Sequence, residues 1–167
     1  MKTKKPRLMM NGHTDEVQTP KVAIESLLPY LEKEWVIWEC AWGGGSLARH
    51  LSDEDFEVKG KSDLDFLNDT ELRGFDCIVT NPPFSKKEAF LKRAFEIGKP
   101  FAFLMPITAL VGQKRMELYK KYGIQIIIPK KRINYIMPNK QGSAWFHSAW
   151  FCYKLGLPKQ INFAPSS

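Results

Sequence analysis

The segment Asn81-Pro82-Pro83-Phe84 holds more chemical possibility than any other in this chain. It follows Phe75-Asp-Cys-Ile-Val-Thr80, an apolar run that reads as a strand, and two consecutive prolines end any strand ladder there. Pro82 and Pro83 lack backbone donors and have restricted φ angles. The Asn81 side-chain oxygen and the Pro82 carbonyl are therefore acceptors aimed by stiff backbone. Such a pair suits a planar amino or amide group, whose nitrogen lone pair is delocalised and so a poor nucleophile. Accepting both N–H bonds draws the lone pair out of the plane and stabilises positive charge as it develops on nitrogen. No basic side chain is needed, because the amine attacks while uncharged, and positioning does most of the work. Phe84 adds a face on which a base could stack, worth ~1–3 kcal/mol. The structural alternative is a Pro-Pro turn that only caps a strand.

A second segment, Glu39-Cys-Ala-Trp-Gly43-Gly-Gly45-Ser-Leu47, joins the apolar strand Trp35–Glu39 to a helix over 46–51, with Ser46 expected at its N-cap. Glycine permits a tight turn and close approach of a ligand to bare backbone. A carboxylate at the strand end can accept hydrogen bonds from a cationic amine or a hydroxyl. Glycines at such a joint can also serve packing alone. Neither a G-x-x-x-x-G-K-[ST] phosphate loop nor a G-x-G-x-x-G dinucleotide signature is present, which argues against a nucleotide hydrolase or an ATP-binding regulator. After the next strand, Phe56–Lys61, comes Lys61-Ser-Asp63-Leu-Asp65-Phe66. An acid there is placed for ribose hydroxyls, the alternative being a solvated acidic turn.

Glu39-x-x-x-Gly43-x-Gly45 resembles the first motif of the S-adenosylmethionine-dependent methyltransferases, and Asn81-Pro82-Pro83-Phe84 resembles the [NDS]-P-P-[YFW] motif of their amino-methyltransferase branch. The two stand in the family's order, about forty residues apart, and the resemblance spans roughly residues 14–155. It is similar in kind to compact adenine-methyltransferase-like proteins encoded by phages. The resemblance implies a Rossmann-like α/β fold, S-adenosylmethionine as cofactor, and methyl transfer to the exocyclic amino group of adenine in DNA. RNA adenine and protein glutamine are alternative acceptors, since their nitrogens are delocalised in the same way. A non-catalytic S-adenosylmethionine or nucleic-acid binder of the same fold is the alternative from another class. By resemblance Asn81, Pro82, Pro83 and Phe84 form the catalytic loop. Glu39 then lies near the amino-acid end of the cofactor, with Ala41, Gly43 and Gly45 as the wall it rests on. Asp63 and Asp65 match the ribose-binding acids and Phe66 the adenine contact, although the spacing is shorter than the family's. Thr19-Pro20 matches a segment that covers the methionine end, and Thr-Pro is also an ordinary helix start.

Two departures from the family stand out. Little room separates Phe66 from Phe75, so one edge of the sheet is expected to be trimmed. No segment is long enough for a separate target-recognition domain; residues 130–141, with Pro138 and Asn139, form the only loop placed to read base edges. Weak sequence specificity, recognition by shape or of a single strand, or help from a partner chain or a second copy is therefore expected. A flipped adenine could be received by Trp42, Phe84, Tyr135 or Trp145, whereas Trp145, Phe146, Trp150 and Phe151 are also candidates for simple core packing.

Strands alternating with helices must position these segments. After a basic arm (1–13), a helix is expected from Thr19-Pro20 to Tyr30, then the strands and helix already named, a helix over Lys86–Ile97 stopped by Gly98, and a strand Phe101–Met105. A helix over Leu110–Tyr122, a strand Ile124–Ile128 and a last strand Ala144–Tyr153 follow, with 156–167 as a surface tail. This order predicts one α/β catalytic domain (14–155) with a mostly parallel sheet covered by helices on both faces. Ligands of such sheets sit beyond the carboxyl ends of the strands, where both the glycine turn and the Asn-Pro-Pro run fall.

Composition agrees with a single globular domain: 44% of residues are hydrophobic and 26% charged. The net charge of +7 fits a polyanionic partner. Lysine and arginine cluster at Lys2–Arg7, Lys86–Arg93, Lys114–Lys121 and Lys130–Arg132; the middle two also read as solvated helix faces. Lys130, Lys131 and Arg132, after a strand, are the better nucleic-acid candidates. The apolar runs are too short to cross a bilayer, and no signal peptide is visible, so a cytoplasmic protein of a bacterium or phage-infected cell is expected. Cys40, Cys77 and Cys152 read as buried thiols, and with His13, His50 and His147 isolated, no metal site is expected.

Overall fold

The structure is a computed structural model that describes residues 18–68, 73–135 and 146–165. The basic arm 1–13, Pro138, Asn139 and Trp145 lie outside the described residues.

Among the described residues seven strands form one sheet: β1 (Val36–Trp38), β2 (Glu57–Lys59), β3 (Cys77–Thr80), β4 (Phe101–Pro106), β5 (Gln125–Ile128), β6 (Ser148–Tyr153) and β7 (Ile161–Phe163). Their order is β2-β1-β3-β4-β6-β5-β7, and β6 alone runs antiparallel to its neighbours. The helices are α1 (Val22–Glu25), α2 (Ser46–Asp53), α3 (Lys87–Ile97) and α4 (Gln113–Tyr122).

Both faces of the sheet are buried because successive strand side chains alternate between them and both sets are apolar. Ile37, Val79, Leu104, Ile127 and Trp150 point to one side and pack with Ala23 and Ile24 of α1 and Leu47 and Leu51 of α2. Trp38, Ile78, Phe103, Ile126 and Phe151 point to the other and pack with Phe90, Leu91, Ala94 and Phe95 of α3 and with Leu118 and Tyr119 of α4. The expected α/β layering, mostly parallel and covered on both faces, is present.

The expected trimmed edge is β2. Among the described residues no strand lies between Lys59 and Cys77, so the chain passes from β2 directly across β1 to β3. Several boundaries differ from expectation: β3 begins at Cys77, β6 begins at Ser148 and α2 runs on to Asp53. The first helix is broken: α1 has four residues, and a 3₁₀ turn at Leu28–Tyr30 holds Pro29 in its first turn, where a missing N–H does no harm. The helix expected from Leu110 starts at Gln113, because Ile107–Leu110 forms a separate 3₁₀ turn and Gly112, at φ 118°, breaks the path between them. The segment read as a surface tail contributes β7, which pairs parallel with β5 and is held by Asn162, whose Nδ2 donates to Ile126 O at 3.2 Å and Lys159 O at 2.8 Å.

Candidate functional site

The carboxyl ends of β1, β3, β4 and β5 open on one edge of the sheet, and the antiparallel β6 presents its amino end there too. At the end of β1, Trp42 O accepts the Gly45 N–H at 2.8 Å, closing a tight turn with Gly43 at φ 52° and Gly45 at φ 79°. Only glycine adopts such angles at little cost. A Cβ on Gly45 would also come within 2.9 Å of Trp42 Nε1. Gly45, not Ser46, is thus the residue at the N-cap of α2. Ser46 is the first helical residue, and its hydroxyl donates to Thr19 O at 2.8 Å. Trp42 lies across Gly60 as well, where a Cβ would meet its ring at 2.6 Å.

Glu39 follows β1 and is 2% exposed. Thr80, the last residue of β3, donates its hydroxyl to Glu39 Oε1, and the Ala41 N–H donates to the same oxygen at 2.9 Å. Burial pushes the carboxyl up to about 8, against the lowering effect of both hydrogen bonds. A cation brought next to Glu39 would favour its ionised form.

Asn81 continues β3 into the same place. It shares a narrow cleft of about 20 Å³ with Gln18, Thr19, Glu39, Trp42 and Gly43, with Ala41, Gly44, Ser46 and Leu47 also at its walls. The Asn81 amide Nδ2 donates to Thr19 Oγ1 at 3.3 Å, whereas its Oδ1 is buried without a hydrogen-bond partner. A buried acceptor left unmade costs ~1–3 kcal/mol, which marks the position as one that a ligand donor would satisfy. Pro83 O is taken by the Lys86 N–H at 2.9 Å and Phe84 O by Lys87 Nζ at 2.9 Å, so the loop is pinned to the start of α3. Phe84 meets Phe146 edge-on at 5.4 Å and Tyr135 at 6.3 Å. Tyr135 in turn bonds Ser148 at the start of β6 through its hydroxyl, 2.7 Å away.

The sequence-chosen residues therefore divide. Thr19, Glu39, Ala41, Gly43 and Asn81 meet in the cleft, whereas Gly45, Pro20, Pro82 and Pro83 follow its lining residues in the chain without lining it themselves. Phe84 packs in an aromatic wall beside it. Phe66 does not belong there: it is 2% exposed and packs on Trp38 at 5.3 Å and Phe90 at 4.8 Å, in the core under α3. Asp63 is solvent-exposed with Lys61 at 3.8 Å, and Asp65 turns onto its own loop, accepting from Asn68 Nδ2 at 2.6 Å and Leu67 N at 3.1 Å. The Asn68 bond chiefly lowers the Asp65 carboxyl from its ordinary value. Trp150 and Phe151 are fully buried core residues, and Phe146 is buried.

Lys130, Lys131 and Arg132 are exposed beyond β5, on the same edge as the cleft. With His147 and Ser148 they surround a separate cavity of about 250 Å³, where Arg132 Nη2 lies 3.1 Å from His147 Nε2. Among the described residues no group of three His, Cys, Asp or Glu side chains could hold a metal, and no helix is long and apolar enough to cross a membrane. All three cysteines are buried and free. Sequence reasoning missed Gln18, whose amide lies over Gly44, and Thr80, the donor to Glu39. A buried-strand polar residue one step before Asn81 was the available signal for Thr80.

At the sequence level neither a protein-family model nor a curated protein matches the chain. Solved structures do match. A type I restriction-modification system methyltransferase subunit from Streptococcus thermophilus aligns with 89% of this chain and 47% of its own, at 17% identity and a TM-score of 0.58. A putative class I S-adenosylmethionine-dependent methyltransferase from Listeria monocytogenes aligns with 93% of this chain and 69% of its own, at 12% identity and a TM-score of 0.59. For an S-adenosylmethionine-dependent O-methyltransferase from Thermotoga maritima the shares are 91% and 71%, the identity 15% and the TM-score 0.53. The fold is the one these methyltransferases share. The chain spans about half the length of the Streptococcus subunit.

Proposed function

We propose that the chain is an S-adenosylmethionine-dependent methyltransferase whose acceptor is the exocyclic amino group of adenine in DNA. The observation that carries this reading is the buried, unpartnered Asn81 Oδ1, standing in the same cleft as Glu39 and the glycine turn. When bound, the cofactor supplies an electrophilic methyl group on a sulfonium. Glu39 would take its cationic amine, since a buried carboxyl held up near 8 is the group that an incoming ammonium ionises and satisfies. Gly43 and Gly45 give backbone without side chains for it to rest on. Asp63, exposed beyond β2, is left for the ribose hydroxyls, with Asp65 beside it.

Asn81 Oδ1 and the Pro82 carbonyl accept the two N–H bonds of the acceptor. They orient its lone pair and stabilise charge as the nitrogen is alkylated; the surplus proton leaves to solvent. Pro82 and Pro83 stiffen the backbone that carries the Pro82 carbonyl. Lys130, Lys131 and Arg132 would meet phosphates on the same edge. The net charge of +7 favours a nucleic acid over a protein acceptor. The Streptococcus neighbour, a restriction-modification subunit, favours DNA.

Incubation with methyl-labelled cofactor and DNA, RNA or protein, followed by digestion and mass identification, tests the reading. Label on adenine N6 in DNA is expected. Label only in RNA or protein moves the substrate to the corresponding amino-methyltransferase. Cofactor binding with no transfer to any polymer leaves a binding protein of this fold.

A further inference from the structure

Thr19 touches both halves of the cleft. Its carbonyl accepts Ser46 Oγ at 2.8 Å and lies 3.1 Å from His50 Nε2, which fixes it to α2 below the glycine turn. Its hydroxyl lies 3.3 Å from Asn81 Nδ2. Both side chains are enclosed, with Thr19 4% and Asn81 7% exposed. The terminal torsion of an asparagine is broad and two-fold, so nothing intrinsic to Asn81 decides where its carboxamide points.

We infer that Thr19 is the positioning residue for Asn81, its hydroxyl holding one edge of the carboxamide so that the other stays turned to the cleft. The inference rests on the methyltransferase reading above. It differs from the role that the family resemblance implies for Thr19, which is contact with the cofactor. A hydroxyl can accept or donate, so Thr19 holds the plane of the group in either orientation, and the arriving N–H donor selects the edge that carries oxygen. Without the hydroxyl, the carboxamide turns in its socket and meets the acceptor in the productive pose for only part of the time. Because Thr19 is anchored through its backbone, changing its side chain leaves the tie to α2 in place.

The test compares wild type with Thr19→Val and Thr19→Ser in the full chain. Valine matches threonine in shape and lacks the hydroxyl; serine keeps it. Thr19→Val is expected to lower kcat about tenfold, the worth of one hydrogen bond, while cofactor Kd by titration calorimetry stays within about threefold, and Thr19→Ser to restore most of kcat. A raised cofactor Kd at unchanged kcat makes Thr19 a cofactor ligand and overturns the inference, as does a Thr19→Val enzyme as fast as wild type. A readout independent of turnover separates this from failure of the methyltransferase reading. In nitrogen-15 spectra the Asn81 side-chain amide protons should exchange faster with solvent in Thr19→Val than in wild type. Equal exchange rates remove the positioning role even if wild type is an active enzyme. Faster exchange in Thr19→Val, where wild type itself methylates nothing, leaves the contact standing and rejects the reaction.

Discussion

Replacing Glu39 by Gln probes the electrostatics of the cleft without disturbing its shape. Glutamine keeps an oxygen that can accept from Thr80 and from Ala41 N–H, so the turn after β1 survives. What is lost is a titration. The carboxyl has an ordinary value of 4.5 and stands at about 8 in the fold, because burial disfavours its charged form. Between those pH values the folded chain holds a proton that the unfolded chain has released. Stability therefore falls as pH rises, by about 1.4 kcal/mol per pH unit across the window. Below the unfolded value both states are protonated and the stabilisation is fully present; above the folded value it is gone. The other titrating groups are common to both proteins and largely cancel in the difference. Urea unfolding of wild type and Glu39→Gln at pH 5, 6.5 and 8 should show the variant gaining on wild type at each step, by roughly 3–5 kcal/mol over the whole range. Parallel pH curves would refute the argument, for they would mean that Glu39 is ionised in the fold throughout. The same logic fixes the ligand side. A cationic amine bound beside Glu39 drives its proton off, so cofactor binding at pH 7 should release a proton in wild type and none in Glu39→Gln, read by calorimetry in buffers of different ionisation heat.

Asn81→Ala removes the acceptor and should lower kcat about 10²–10³-fold, as loss of one preorganised oxyanion-type partner does, with cofactor Kd nearly unchanged by titration. Substituting Lys130, Lys131 and Arg132 together by glutamine should weaken DNA binding and flatten its log–log salt dependence by about 2–3, whatever the sequence of the DNA, read by fluorescence anisotropy at several salt concentrations. Gly45→Ala places a Cβ at φ 79° and 2.9 Å from Trp42 Nε1, and should cost about 1–3 kcal/mol by chemical denaturation. Asn162→Ala removes the side-chain bonds to Ile126 O and Lys159 O that reinforce the β5–β7 ladder and should destabilise by about 1–3 kcal/mol, with the faster amide exchange confined to residues 125–128 and 161–163.

The cleft was legible because two kinds of chain break fall on one edge of the sheet. Consecutive prolines can only end a strand, and a glycine triplet after a strand can only be a turn, so both segments had to lie at carboxyl ends, and β1 and β3 are neighbours. Pairing of Thr80 with Glu39 was not legible, since it depends on the register between two strands 41 residues apart. Phe66 misled because its setting beside two acids looks like a ligand contact, while its partners Trp38 and Phe90 are distant in sequence. Strand β7 was missed for a clearer reason. Its apolar residues Ile161 and Phe163 are 52% and 74% exposed, and the polar Asn162 points inward. The usual alternation is inverted there, and backbone pairing with Asn162 does the holding that hydrophobic burial does elsewhere.

Strand β6 lies between β4 and β5 although it comes after both in the chain. A growing polypeptide therefore carries β4 and β5 before the strand that pairs with both has been made. Residues 148–153 must emerge to join them. The same residues bring Trp150, whose Nε1 donates to Ala23 O at 2.8 Å across 127 positions, and Ser148, which ties down Tyr135. The aromatic wall is thus completed late, after every residue that lines the cleft, and an unfinished chain displays an open sheet edge.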